Sequence, residues 1–192
     1  MKYFYPVILI CLGFMAAGCA RSHLRRWDSL AALAQDLARL PFSEEMPEVS
    51  PEIVKEEAAL IARALVEQTQ KTEEEFRMVR PPLWNNFLIK LGIRKKGYCY
   101  HWVPELLKGL PQHPLQAFER HWGVSSLGLM RENNSVILTR RGAELETGIV
   151  YDAWRGAGRP WWKRVTEDKK YNWEERFTEA QILRGEAKVE PK

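Results

Sequence analysis

Cysteine is scarce in this chain, three residues in 192, and where those three fall excludes more than their number does. Cys11, Cys19 and Cys99 lie too far apart for the paired-thiol spacing of a structural zinc site. A glycine-rich phosphate loop and a His-Glu-x-x-His sequence are also missing, so motif-borne nucleotide chemistry and zinc hydrolysis have no support. No cofactor and no metal are expected. Neither sign of charge dominates: 29 Lys and Arg stand against 25 Asp and Glu, a formal +4. The signs are interspersed, which argues against nucleic acid as a partner. A transmembrane helix needs about 20 apolar residues, and the apolar stretch at residues 3–15 is shorter.

What is present starts at that stretch. Lys2 precedes it and Ala16-Ala17-Gly18-Cys19 follows, the layout of an export signal with a small-residue cleavage site. This start resembles those of bacterial lipoproteins. The resemblance implies that residues 1–18 are removed as a signal peptide and that Cys19 becomes the lipidated first residue. Residues 19–26 then form a short tether whose basic side chains either meet lipid headgroups or are merely solvated. Ala20 after the lipidated cysteine implies a periplasm-facing place on the outer membrane of a two-membrane bacterium, with the membrane as partner. The alternative is an uncleaved anchor. The mature chain would have 174 residues, with 28 basic against 25 acidic, enough for one domain with a core of its own. Cys11 leaves with the signal and Cys19 carries lipid, so Cys99 has no partner for an internal disulfide. It is either an inert core residue or a reactive thiol.

The pattern along the domain, residues 27–177, is helices first. Leu30, Leu33, Leu37 and Leu40 form one helical stripe within residues 27–40, and a loop at residues 41–47 follows. Ser50 as N-cap, Pro51 at the first position and Glu52 in the first turn start a long helix. Its inner face is Val54, Ala58, Ile61 and Leu65, continued by Thr72, Phe76 and Val79, and Pro81-Pro82 ends it. Residues 83–91 read as a short amphipathic helix stopped by Gly92, and residues 99–110 as another, with Val103, Leu106, Leu107 and Leu110 inward. Beyond Pro111 the period changes to that of strands: residues 122–130, residues 135–141 after a turn at 131–134, and residues 148–154. A helical half followed by an antiparallel β meander is an α+β fold. The tail at residues 178–192 is polar, a frayed helix or unstructured.

Cys99 sits in Gly97-Tyr98-Cys99-Tyr100-His101-Trp102, at the first turn of a helix, where the helix dipole favours a thiolate. Asp152 stands at the end of the otherwise apolar Gly148-Ile149-Val150-Tyr151. A cysteine at a helix start, then strands with polar residues near their ends, resembles the transglutaminase-like branch of papain-type thiol enzymes. The wording at Gly97 to Trp102, Glu132 to Ser135, and Asp152 to Arg155 with Gly158-Arg159-Pro160-Trp161-Trp162 and Tyr171-Asn172-Trp173 is similar to that of a narrower bacterial group in that superfamily. The similarity covers residues from about 83 to 175. It implies Cys99 as nucleophile, Asp152 as orienting carboxylate and a histidine at the position of Asn133.

Asparagine cannot carry the thiol proton as histidine does, so the implied triad is incomplete. Among substitutes, His101 lies two positions from Cys99 and points away on a helix, while His113 falls in a loop. His121 is twelve positions before Asn133, on the order of 40 Å along one strand unless the chain bends. Asp152 is either an orienter or a salt-bridge partner of Arg155 or Arg159. His101 and Trp102 are packing residues or part of a binding cleft. Asn86, Trp154 and Arg155 are the other binding candidates, and Trp161 and Trp162 line a groove or fill the core. The function expected is that of an envelope lipoprotein with a transglutaminase-like domain and degraded or absent amide chemistry. The alternative is a noncatalytic module for peptidoglycan or an envelope protein.

Overall fold

The computed structural model describes residues 28–42 and 49–189. The signal sequence, the lipidation site Cys19 and the tether expected from the sequence, together with part of the loop at 41–47, lie outside the described residues. Among the described residues there are five α-helices and one five-stranded antiparallel sheet, a mixed α+β fold. No helix among them is long and apolar enough to cross a membrane.

Helix α1 (residues 28–38) buries Leu30, Leu33 and Leu37. Helix α2 (Pro51–Phe76) begins where the Ser50 hydroxyl accepts the Ile53 N–H at 3.4 Å, and it buries the stripe Val54, Ala58, Ile61, Leu65 and Phe76. Arg77 ends it in the left-handed region at φ 46°. Helix α3 (Pro82–Lys90) and helix α4 (Cys99–Gly109) follow. Gly97, at φ 119°, lies between them where a Cβ would meet Asn85 Nδ2 at 2.3 Å. The turn ahead of Cys99 therefore requires glycine.

Strands β1 (Phe118–Ser125), β2 (Asn133–Arg140), β3 (Ile149–Tyr151) and β4 (Trp162–Arg164) form a meander. Strand β5 (Glu174–Phe177) returns to pair with β1, giving the order β4-β3-β2-β1-β5. Helix α4 and the long α2 cover one face, with Leu65, Trp102, Leu106, Val136, Leu138 and Tyr151 in one core. The other face carries a smaller cluster of Ile137, Val150, Val165 and Trp173. Thr69 on α2 ties the layers together through a 2.8 Å hydrogen bond to the Tyr151 hydroxyl.

The sheet departs from the sequence reading in two respects. The first strand starts four residues earlier than expected and ends at Ser125, because Ser126 and Gly128 turn at φ 57° and 79°; Leu127, Leu129 and Met130 only imitate strand alternation and are exposed. Strands β4 and β5 were not legible: they are three and four residues long and lack an apolar stripe. Of the two readings of the tail, the helix is seen at its start, α5 (Glu179–Leu183), capped by Thr178 and Gln181. This helix is docked because Glu179 is buried against Arg120 at 3.0 Å and Arg141 at 2.7 Å.

Candidate functional site

Cys99 opens α4 with Tyr98 as N-cap. Its side chain is 7% exposed. Sγ donates to the Glu132 carbonyl at 3.7 Å and accepts from Asn134 Nδ2 at 3.9 Å. The identity of that amide group follows from its other contacts. Asn134 Oδ1 accepts from Trp122 Nε1 at 2.8 Å and from Arg176 at 3.0 Å, and both partners can only donate, so the oxygen is fixed on their side. Nδ2 is left to face the thiol and Glu132 Oε1, 2.9 Å away. Arg176 closes the network on the same Glu132 oxygen at 3.0 Å. Burial pushes the Cys99 thiol up to about 11, against the pull of the Asn134 backbone N–H, with the Asp152 charge adding to the rise.

Asn133 and Asp152 face the other way. Side chains alternate across a strand, so Asn134 and Val136 join the helix-covered face while Asn133, Ser135 and Ile137 lie on the opposite one. There Asn133 Nδ2 donates to Asp152 Oδ2 at 2.8 Å, and Asn133 Oδ1 is buried with no hydrogen-bond partner among the described residues. Asp152 accepts the Arg155 backbone N–H at 2.8 Å and Arg155 Nε at 2.7 Å. Burial raises its carboxyl above the usual range, and Arg155 is the main opposing influence. Arg155 reaches on to Asp168 with two hydrogen bonds of 3.0 and 2.7 Å and lies 3.7 Å over the Trp161 ring. Asp168 also accepts from Trp173 Nε1 at 2.9 Å. Asp152 makes both contacts, the salt bridge to Arg155 and a hydrogen bond to Asn133, the position at which the resemblance expects a histidine.

None of the described histidines hydrogen-bonds to the thiol. His101 Nδ1 accepts the backbone N–H groups of Gly97 and Tyr98 at 3.0 and 3.3 Å, capping its own helix. Burial, then the Lys96 charge, lowers its pKa. His121 is brought near the Asn133 end by the hairpin, which sets Ser125 opposite Asn133 and His121 opposite Ile137. The 40 Å separation along one strand therefore does not arise. His121 is committed elsewhere, to Glu175 at 2.5 Å and Thr139 at 3.0 Å. His113 is exposed beside the Pro114 carbonyl.

The remaining candidates are largely structural. Trp102 is 1% exposed and packs edge-on against Phe76. Trp154 donates to Asn86 Oδ1 at 3.4 Å, and Trp162 donates to Asp36 at 2.9 Å. No group of His, Cys, Asp and Glu among the described residues is arranged to hold a metal ion. A cavity of about 590 Å³ opens beside Cys99's helix, lined by Phe76, Tyr100, His101 and Trp122 together with Lys95, Lys96, Lys188 and Glu105. Sequence reasoning missed Asn134, Glu132, Arg176 and Asp168. The adjacent Asn133-Asn134 pair carried the signal for the first of these, since one of any two neighbours on a strand must face the helices.

The comparisons with known proteins return nothing. No protein-family model matches this chain, and no curated protein or solved structure matches it. Function therefore rests on the geometry just described.

One consequence concerns alkaline stability. A thiol raised from 9.0 to about 11 in the fold keeps its proton over a range in which the unfolded chain has lost it. That contribution is complete below about pH 9 and is lost as pH rises towards 11, on the order of 2 kcal/mol. Urea midpoints measured from pH 8 to pH 11 should therefore fall less steeply in Cys99→Ala than in the parent.

Proposed function

We propose that this chain is an envelope lipoprotein whose transglutaminase-like domain has lost thiol turnover and acts as a binding module. The observation that carries the reading is the pairing of Cys99: a buried thiol that donates to a backbone carbonyl and faces an amide N–H₂, with no imidazole among the described residues bonded to it. Such a thiol lacks a group to take its proton and later return it to a leaving group. The helix-start cysteine, the strand order after it and the quoted motifs support the transglutaminase-like part; the Lys2 to Cys19 signal supports the lipid anchor. The aromatic cavity beside His101 supports binding, since a lining of Phe76, Tyr100 and Trp122 with lysines and Glu105 suits a ligand with apolar groups and charges of both signs. A peptidoglycan stem peptide has that chemistry.

Alkylation of Cys99 across pH tests the loss of turnover. At pH 7.5 a thiol titrating near 11 has a thiolate fraction about two orders of magnitude below that of an ordinary cysteine, and its rate should be lower by at least that factor. A rate profile with a midpoint at or below pH 7.5 would overturn the reading and restore the enzyme.

A further inference from the structure

Helix α3 is built inside out. Its one buried side chain is Asn85, which accepts the Val79 N–H at 3.1 Å and donates to the Lys96 carbonyl at 3.5 Å. One apolar face points to solvent: Leu83, Trp84, Phe87 and the C-cap Leu91 are 71%, 49%, 45% and 56% exposed, and Ile93 just beyond is 67% exposed, while Leu88 and Ile89 are half-buried. At 3.6 residues per turn, Leu83, Phe87, Leu91 and Trp84 fall within an arc of about 100°. Trp84 and Phe87 stack on one another at 5.1 Å, forming a continuous aromatic surface.

A second segment adds to the same end of the molecule. The β1–β2 loop exposes Leu127, Leu129 and Met130. It is held to the first turn of α4 through the Cys99 bond to the Glu132 carbonyl, and α3 is held to the same turn through the Tyr98 hydroxyl on the Asn86 carbonyl at 3.5 Å. Eight of the ten large hydrophobic residues exposed among the described residues belong to these two segments. Such clustering marks an interaction surface, whereas scattered exposure does not.

Charge identifies the occupant. Residues 77–104 contain Arg77, Arg80, Lys90, Arg94, Lys95 and Lys96 and no acidic residue, although acidic residues are nearly as numerous as basic ones in the whole chain. An exposed Trp, Phe and Leu face flanked by Arg77, Arg80, Lys90 and Lys95, with the neighbouring Glu75 taken up by Lys96 at 2.6 Å, is the surface of a helix that lies in a bilayer interface. We infer that α3 and the 126–131 loop dock on an anionic lipid bilayer, with the aromatic face at the headgroup boundary and the flanking lysines and arginines on the lipid phosphates. This face would meet the membrane whether or not a lipid on Cys19 anchors the chain.

The test uses the full chain on phosphatidylcholine vesicles carrying bromine on their acyl chains and about one-third phosphatidylglycerol. Flotation reports membrane attachment, and loss of tryptophan emission reports depth. The expected result is a quenched component that disappears in Trp84→Phe. That component should fall by about half or more when phosphatidylglycerol is omitted or in Lys90→Glu/Lys95→Glu. A chain that floats yet quenches equally with and without Trp84 overturns the docking and leaves the anchor standing. A chain that does not float overturns both. Sedimentation showing a dimer abolished by Leu83→Ser would assign the face to a second copy and also overturn the inference.

Discussion

Replacing Arg155 with alanine is expected to destabilise the domain by about 3–5 kcal/mol, the cost of removing one partner from a buried ion pair. Arg155 bridges two carboxylates: its side chain is 11% exposed, that of Asp152 1% and that of Asp168 5%. Without it both acids keep their burial and lose their counter-charge, and the Trp161 ring loses the guanidinium 3.7 Å above it. Asp152→Asn should cost less than half as much, because Arg155 retains its two hydrogen bonds to Asp168. Urea denaturation at pH 7 measures both variants. The deficit of Arg155→Ala should also shrink as pH falls towards 4, since carboxyls left without a cation are relieved by taking up protons. A loss under about 1 kcal/mol would mean that the carboxylates find other donors.

The helical half was legible because its signals are local. Ser50-Pro51 starts α2 and the Val54, Ala58, Ile61, Leu65 stripe sets its buried face, so neither depends on the rest of the fold. The sheet was less legible for two reasons. Strands of three or four residues carry too little pattern, as at Trp162–Arg164 and Glu174–Phe177. Exposed apolar residues in a loop also copy a strand, as at Leu127, Leu129 and Met130. Those same three residues, and the outward apolar face of α3, violate the usual inside-outside rule, and both violations fall on the surface inferred to meet lipid. Cys99 at a helix start was readable, and so was Asn133 as the position where the resemblance expects a histidine. Which of Asn133 and Asn134 faces the thiol depends on register, and a one-residue change reverses every side chain.

That register separates two otherwise similar variants, Asn134→His and Asn133→His. At position 134 the side chain reaches the thiol, with Nδ2 3.9 Å from Sγ, so an imidazole there can take the Cys99 proton and hold the thiolate as an ion pair. The starting thiol is pushed up to about 11, and each unit by which the pair lowers it raises the thiolate fraction at neutral pH about tenfold. Alkylation at pH 7.5 should therefore accelerate at least about tenfold in Asn134→His. The new ring must share space with Trp122 Nε1 and Arg176, which now donate to Asn134 Oδ1. Leaving a buried donor unmet costs about 1–3 kcal/mol, so a lower melting temperature should accompany the gain. At position 133 the imidazole would meet Asp152 on the far face of the sheet, and the alkylation rate should stay within about twofold of the parent, as a group that cannot reach the proton contributes no base catalysis. Acceleration in Asn133→His and none in Asn134→His would show that the cleft is organised around Asp152 after all, and that the lost histidine belongs at position 133.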